Sequence, residues 1–183
     1  HKPLALIMKY ILLLLFSVLI FSNLKSQTET PVKLTDSLII ELIDSISYLQ
    51  KTAFEQNKKD PKSKQSQIIS GKANNYFDLK FRPKLKGIVN YISVNNKSKL
   101  EDLFLAYLSK STESVDETLG NSFVVLFIKR PDIIIKKLKV INQKSLNKYL
   151  EEWFEFYVSE NAMDKESKED LQLKIRKLML TQG

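Results

Sequence analysis

Apolar residues recur along most of this chain at intervals of three and four, the spacing that gathers side chains on one face of an α-helix. Leu34, Leu38, Leu42, Ile46 and Leu49, with Ile39 and Ile43 beside them, predict a helix from about Leu34 to Phe54, and Thr35 or Asp36 is placed to cap its start. The stretch 56–67 carries Lys58, Lys59, Lys62, Lys64, Asp60 and Pro61 and no apolar side chain, so it reads as a solvated basic loop. Downstream the predicted helices are shorter. Pro83 suits the first turn of one reaching Val94, and Ser98 with Glu101 has the capping-box spacing for another from Leu100 to Ser109. Further helices are expected over Glu113 to Ile128, Pro131 to Ile141, Ser145 to Val158 and Lys165 to Leu180. Two runs, Val89 to Val94 and Phe123 to Ile128, are β-branched and apolar enough to be strands as well, and such short runs are ambiguous by periodicity alone.

Four glycines and five prolines in 183 residues are too few for the many turns of an all-β sandwich. The expected fold class is therefore all-α, with short antiparallel helices in a bundle or a solenoid-like stack. A possible internal repeat bears on that choice. Arg82-Pro83 and Arg130-Pro131 each open a helix, and about a dozen residues later Asn95-Asn96-Lys97-Ser98 matches Asn142-Gln143-Lys144-Ser145. The spacing resembles the armadillo and HEAT class of α-solenoids, and the resemblance covers Phe81 to Leu180 as two units of three helices. It implies an extended face for protein ligands.

The amino terminus has a different pattern. From Met8 the chain reads Lys9 and Tyr10, then Ile11 to Phe21 with Ser17 as the only polar residue, then Ser22 to Gln27. A basic start, an apolar run of about a dozen residues and a small residue before a polar stretch form the layout of a secretory signal peptide. Residues 1–26 are expected to be that signal, cut after Ser26, with residues 1–7 an upstream extension before Met8. The alternative is an uncleaved segment that anchors the chain in a membrane, although the run is shorter than a spanning helix needs. Residues 27–183 are expected to form a single helical domain, and processing leaves its net charge near +5 against +8 for the whole chain.

Composition limits the chemistry further. There is no cysteine, and the single histidine is His1, so thiolate zinc sites, disulfides, cysteine nucleophiles and histidine-based triads are not expected. No cofactor and no metal is expected either. Of 29 basic residues only Arg82, Arg130 and Arg176 are arginines, few for a surface evolved to read phosphates and bases, so no specific nucleic-acid partner is expected.

Three patterns carry candidate chemistry. Ser145 and Lys148 satisfy Ser-x-x-Lys, a nucleophile pattern of penicillin-binding enzymes, but the companion motifs are absent and a helix cap is the preferred reading of Ser145. Glu151, Glu152 and Glu155 lie opposite an aromatic stripe of Leu146, Tyr149, Leu150, Trp153, Phe154 and Tyr157, which reads as a solvated face opposite a core face with Trp153 buried. Finally, Ile133 to Ile141 is apolar on two sides. Ile134, Leu138 and Ile141 share one face, while Ile133 and Val140 lie roughly opposite among lysines. Such a helix is either sandwiched in the core, the preferred reading, or presents a patch to a partner through Ile133, Lys136, Lys137 and Val140.

The expected function is that of an exported, non-catalytic helical protein that binds a protein partner in the cell envelope or outside. An envelope hydrolase using carboxylates or Ser145 is the alternative from a different class. A toxin-neutralising or chaperone-like helical protein is a third.

Overall fold

The computed structural model describes residues 33–112 and 116–180, and the expected signal segment lies outside them. The residues from Leu34 onward form one compact unit. Its α-helices are α1 (Asp36–Lys59), α2 (Lys64–Tyr76), α3 (Leu85–Val94), α4 (Ser98–Leu108), α5 (Glu117–Lys129), α6 (Pro131–Ile141), α7 (Lys144–Glu160) and α8 (Lys165–Leu180). The unit is all-α, and the two β-branched runs lie within α3 and α5. Their residues Val89, Ile92, Phe123, Val124, Leu126 and Phe127 are at most 1% exposed, so burial on a helical face outweighs the local preference of branched side chains for strands.

α1 starts where the sequence places it, with the Thr35 hydroxyl accepting from the Leu38 amide at 3.3 Å. It runs past Phe54 to Lys59, which narrows the expected basic loop to Asp60–Ser63. Lysines solvate well on a helix as on a loop, and they favour the last turn, where the helix dipole is negative. α2 has no counterpart among the expected helices, because its apolar positions are few: it buries only Ser66 and Ala73. Beyond it the chain stays helical through a π turn over Phe77–Phe81 and a 3-10 turn over Arg82–Lys84. Pro83 explains both. It has no N–H and its ring would clash with the carbonyl of Leu79 in a regular helix, so the chain widens before it and tightens around it.

α1 packs against α2 and α4, while α3, α5 and α7 stack side by side and α6 packs against α8. α5 sits in the middle, touching α3, α6 and α7, which is why its apolar residues face almost every direction. Polar ties fix this arrangement from outside. The Tyr91 hydroxyl donates to Asp36 at 2.6 Å and Lys97 meets the same carboxylate at 3.0 Å, joining the start of α1 to α3 and the turn after it. Those two contacts, the tyrosyl hydrogen bond first, hold the Asp36 carboxyl below its ordinary range. Lys174 likewise joins α8 to Asp132 on α6 at 2.7 Å.

The spacing read as a repeat has a structural basis, in a different register. Asn96 and Asn142 both adopt the left-handed conformation, with φ of 51° and 50°, and each turns the chain from one helix into the next. Asparagine tolerates this region because its short amide bonds locally. The matching helices α3 and α6 do not occupy equivalent places, since α3 stacks with α5 and α7 whereas α6 packs with α8. Stacking thus advances by two helices while the sequence match advances by three.

Candidate functional site

Among the described residues, the sequence-level candidates fall beside two concavities. The first is a groove of about 580 Å³ between α4 and α6. One wall is Ser98, Asp102, Ala106 and Ser109 on α4, and the other is Ile133, Lys136, Lys137, Val140 and Ile141 on α6. The groove exists because α4 turns small and polar side chains toward α6, spaced at four, four and three residues. Such side chains cannot close the gap between two helices.

On α6 the inner face is filled by Ile134 and Leu138, both wholly buried. The other apolar positions face outward: Val140 is 81% exposed, Ile133 40% and Ile141 37%. The helix is therefore not sandwiched on both sides. Ile141, expected with the inner face, belongs to the groove, because it sits in the last turn beyond the core contacts of Leu138.

Lys137 differs from its neighbours. Its ammonium bonds the Ser98 carbonyl at 3.1 Å and the Ser98 hydroxyl at 2.9 Å, pairs with Asp102, and lies 3.5 Å from Glu101. Glu101 is completely buried and also meets Arg130 at 2.6 Å. The expected capping box is thus replaced by something else: Lys97 is the N-cap of α4 and makes no side-chain cap, and Glu101 turns inward to two cations. Lys137 is held within the fold, and Lys136 is the groove lysine left to solvent.

The second concavity is a cleft of about 800 Å³ bounded by α1, the C-terminal end of α4 and the N-terminal half of α7. Ser145, Lys148 and Glu152 lie along it, with Phe54, Tyr107 and Tyr149 among the lining residues. The Ser145 hydroxyl accepts from the Gln143 side chain at 3.0 Å, and Lys148 pairs with Glu152 at 3.3 Å. Ser145 does not cap α7. The N-cap is Gln143, whose amide instead donates to the Ser109 carbonyl at 2.8 Å. Glu155 is drawn away from the other acids, accepting from Gln172 of α8 at 2.8 Å.

Tyr107 and Tyr149 are 2% and 3% exposed, with the Tyr107 hydroxyl beside Ser111 and Gln50 and that of Tyr149 beside Trp153. Burial pushes the Tyr107 phenol up to about 12 and Tyr149 in the same direction, so both remain protonated donors near neutrality. Trp153 is half-buried and lies directly over Gly120 of α5: a Cβ there would come within 2.1 Å of its ring. It also makes edge contacts with Tyr149 and Phe156 at 6.0 Å and 5.4 Å.

Among the described residues no helix is long and apolar enough to cross a membrane. Comparison with protein-family models, curated proteins and solved structures finds no match. Asp102, Ala106 and Ser109 of the groove and Tyr107 of the cleft were not singled out from the sequence, and Ser98 and Tyr149 were read there only as a helix cap and a core aromatic. The one signal for the α4 wall was a run of small or polar residues, Ser98, Asp102, Ala106 and Ser109, down one side of a helix otherwise rich in leucine.

Proposed function

We propose that this chain is an exported binding protein without catalytic chemistry of its own, and that the α4–α6 groove docks a helical segment of a protein partner. The observation that supports it is the outward apolar edge of α6, where Val140, Ile133 and Ile141 face solvent beside Ala106 instead of being covered. An unpaired apolar strip between two helices is the geometry of helix-in-groove recognition. α4 spans roughly 16 Å, enough for about three turns of a guest helix. Lys136 at the rim and the net charge near +5 that remains after processing favour a segment with acidic residues flanking its apolar ones. Export rests on the layout from Met8 to Gln27.

The hydrolase alternative needs a base that takes the Ser145 proton. Lys148, the partner of Ser145 in the Ser-x-x-Lys pattern, pairs with Glu152 at 3.3 Å, and Glu155 accepts from Gln172, which favours the binding reading over a hydrolase using Ser145 or these carboxylates. Site-specific photo-crosslinking in the native host tests the binding reading. A crosslinking residue at Val140 should give one discrete adduct with a protein, and the same residue at Tyr48, on the outside of α1, should give none. Equal labelling at the two positions, or no adduct at Val140, would sink the proposal.

A further inference from the structure

α2 is the helix that the core uses least. It rests on α1 and on the π turn that follows it, and only Ser66 and Ala73 of its 13 residues are buried. The opposite side faces water. Lys64, Ile68, Lys72, Asn75 and Leu79 follow one another at four, four, three and four residues, so they form one stripe along the helix and into the π turn. All five are exposed, Ile68 by 45% and Leu79 by 70%.

The positive charge of the chain gathers at this edge. Residues 56–86 hold nine of the 29 basic side chains and two of the 21 acidic ones. Lys58, Lys59 and Lys62 stand at the tip of the α1–α2 hairpin, Lys64 and Lys72 on the stripe and Lys80 beyond it. All six are exposed, and none has an ion-pair partner among the described residues. Both acids are engaged within the fold: Asp78 pairs with Arg82 at 3.0 Å, and Asp60 accepts from the Lys62 amide at 3.2 Å. Arg82 is tied in as well, with Asp116 at 2.6 Å and the Phe77 ring at 5.0 Å.

We propose that this edge lies on an anionic lipid surface, with α2 parallel to the bilayer, its lysines among the headgroups and Ile68 and Leu79 reaching the acyl boundary. It shares no element with the α4–α6 groove and stands independently of that reading. Lysine is a flexible, strongly hydrated point charge, which suits a fluid array of phosphates. Ile68 and Leu79 stand about three turns apart on one side, the pattern of a helix that lies in an interface. A nucleic acid is disfavoured, because the one arginine of the segment is engaged and the stripe has no ring on which a base could stack. The two apolar side chains are separated by Lys72 on a convex single helix, so they make no continuous apolar centre for a protein interface.

Co-sedimentation of the full chain with vesicles tests this. Vesicles of phosphatidylglycerol and phosphatidylcholine in equal parts should bind it at least about a hundredfold more tightly than phosphatidylcholine alone. Raising the salt from about 0.1 M to about 0.5 M should remove most of that difference. The apolar run Ile11 to Phe21 adds affinity for both vesicles alike, so the difference between them is the readout. Lys64→Gln with Lys72→Gln should lower the anionic affinity roughly twentyfold, from about fivefold for each lysine at a charged surface. Lys165→Gln with Lys177→Gln, at exposed positions of α8, removes the same net charge and should change it by less than about twofold. Both double variants should melt like the parent. No preference for anionic vesicles, or a loss no larger in the α2 variant than in the α8 variant, would overturn the proposal. So would binding to polyglutamate in place of the vesicles, which assigns the face to an acidic protein.

The chain has no cysteine, so a single introduced one can carry a probe that reports which face meets the lipid. A polarity-sensitive dye on Leu79→Cys should shift to the blue with anionic vesicles, and the same dye on Val140→Cys should not. No shift at position 79, or an equal one at position 140, would put another face against the lipid and sink the proposal.

Discussion

At the scale of single residues, the sequence separates inside from outside better than it assigns roles. The aromatic row of α7 does face the core, yet Trp153 is only half-buried, and its packing depends on the missing side chain of Gly120. Gly120→Ala should therefore destabilise by about 1–3 kcal/mol despite alanine's better helix propensity, and Trp153→Leu in the same chain should recover most of the loss. Thermal melts of the two single variants and the double variant measure that coupling; additive losses would show that the ring does not rest on Gly120. Glu101 is the larger misreading. Its spacing from Ser98 is that of a capping box, but its carboxylate lies between Arg130 and Lys137, which come from sequence positions 29 and 36 residues away. No local pattern announces such a partner. Removing it by Glu101→Ala strands the Arg130 guanidinium, 11% exposed, while Lys137 keeps Ser98 and Asp102, and should cost about 3–5 kcal/mol in a urea melt. Lys136→Ala, one residue from Lys137 and open to water, should leave the melt unchanged. Ser145→Ala should be close to neutral as well, since Gln143 and not Ser145 stands at the N-cap.

At the scale of elements, the helices that bury a full apolar face were legible and the one that does not was missed. α1 and α5 to α8 lie close to where their periodicity puts them, because burial of the stripe is what forms them. α2 rests on α1 through two small buried residues, Ser66 and Ala73, so its sequence has almost no stripe to read. Its Gly71 has nothing within 4 Å of where a Cβ would stand. Gly71→Ala should consequently stabilise the protein by about 0.5–1 kcal/mol, through lower chain entropy when unfolded. A lower midpoint in chemical denaturation would mean that α2 is not helical at that position. The ends of elements were the least readable part for a related reason. The side chains of Lys97 and Gln143 make no capping hydrogen bond to the helices they precede, so neither cap leaves a mark in the sequence.

At the scale of the whole molecule, the all-α class followed from helical spacing and scarce glycine, whereas the stacking order did not. Which helix neighbours which depends on contacts far apart in the chain, and the Asn96 and Asn142 turns mislead because similar turns serve non-equivalent helices. The concavities were partly legible: Ile133, Lys136 and Val140 do line the groove, but the α4 wall opposite them is set by packing. The buried tyrosines give the unit a defined alkaline limit. The unfolded chain loses a tyrosyl proton near 10.0, while the folded Tyr107 holds its proton to about 12, so between these values the folded state binds more protons and stability falls as pH rises. Denaturation midpoints should accordingly drop between about pH 10 and pH 12, the window these values define, with tyrosinate absorbance rising only on unfolding. A flat profile there would place both phenols in contact with solvent. The central claim is that the outward edge of α6 is a docking surface, and co-purification from the native host tests it most directly. Val140→Asp and Tyr48→Asp variants should melt like the parent, and the account predicts that the principal protein recovered with the parent is lost with Val140→Asp and retained with Tyr48→Asp. Undiminished recovery with Val140→Asp would contradict it.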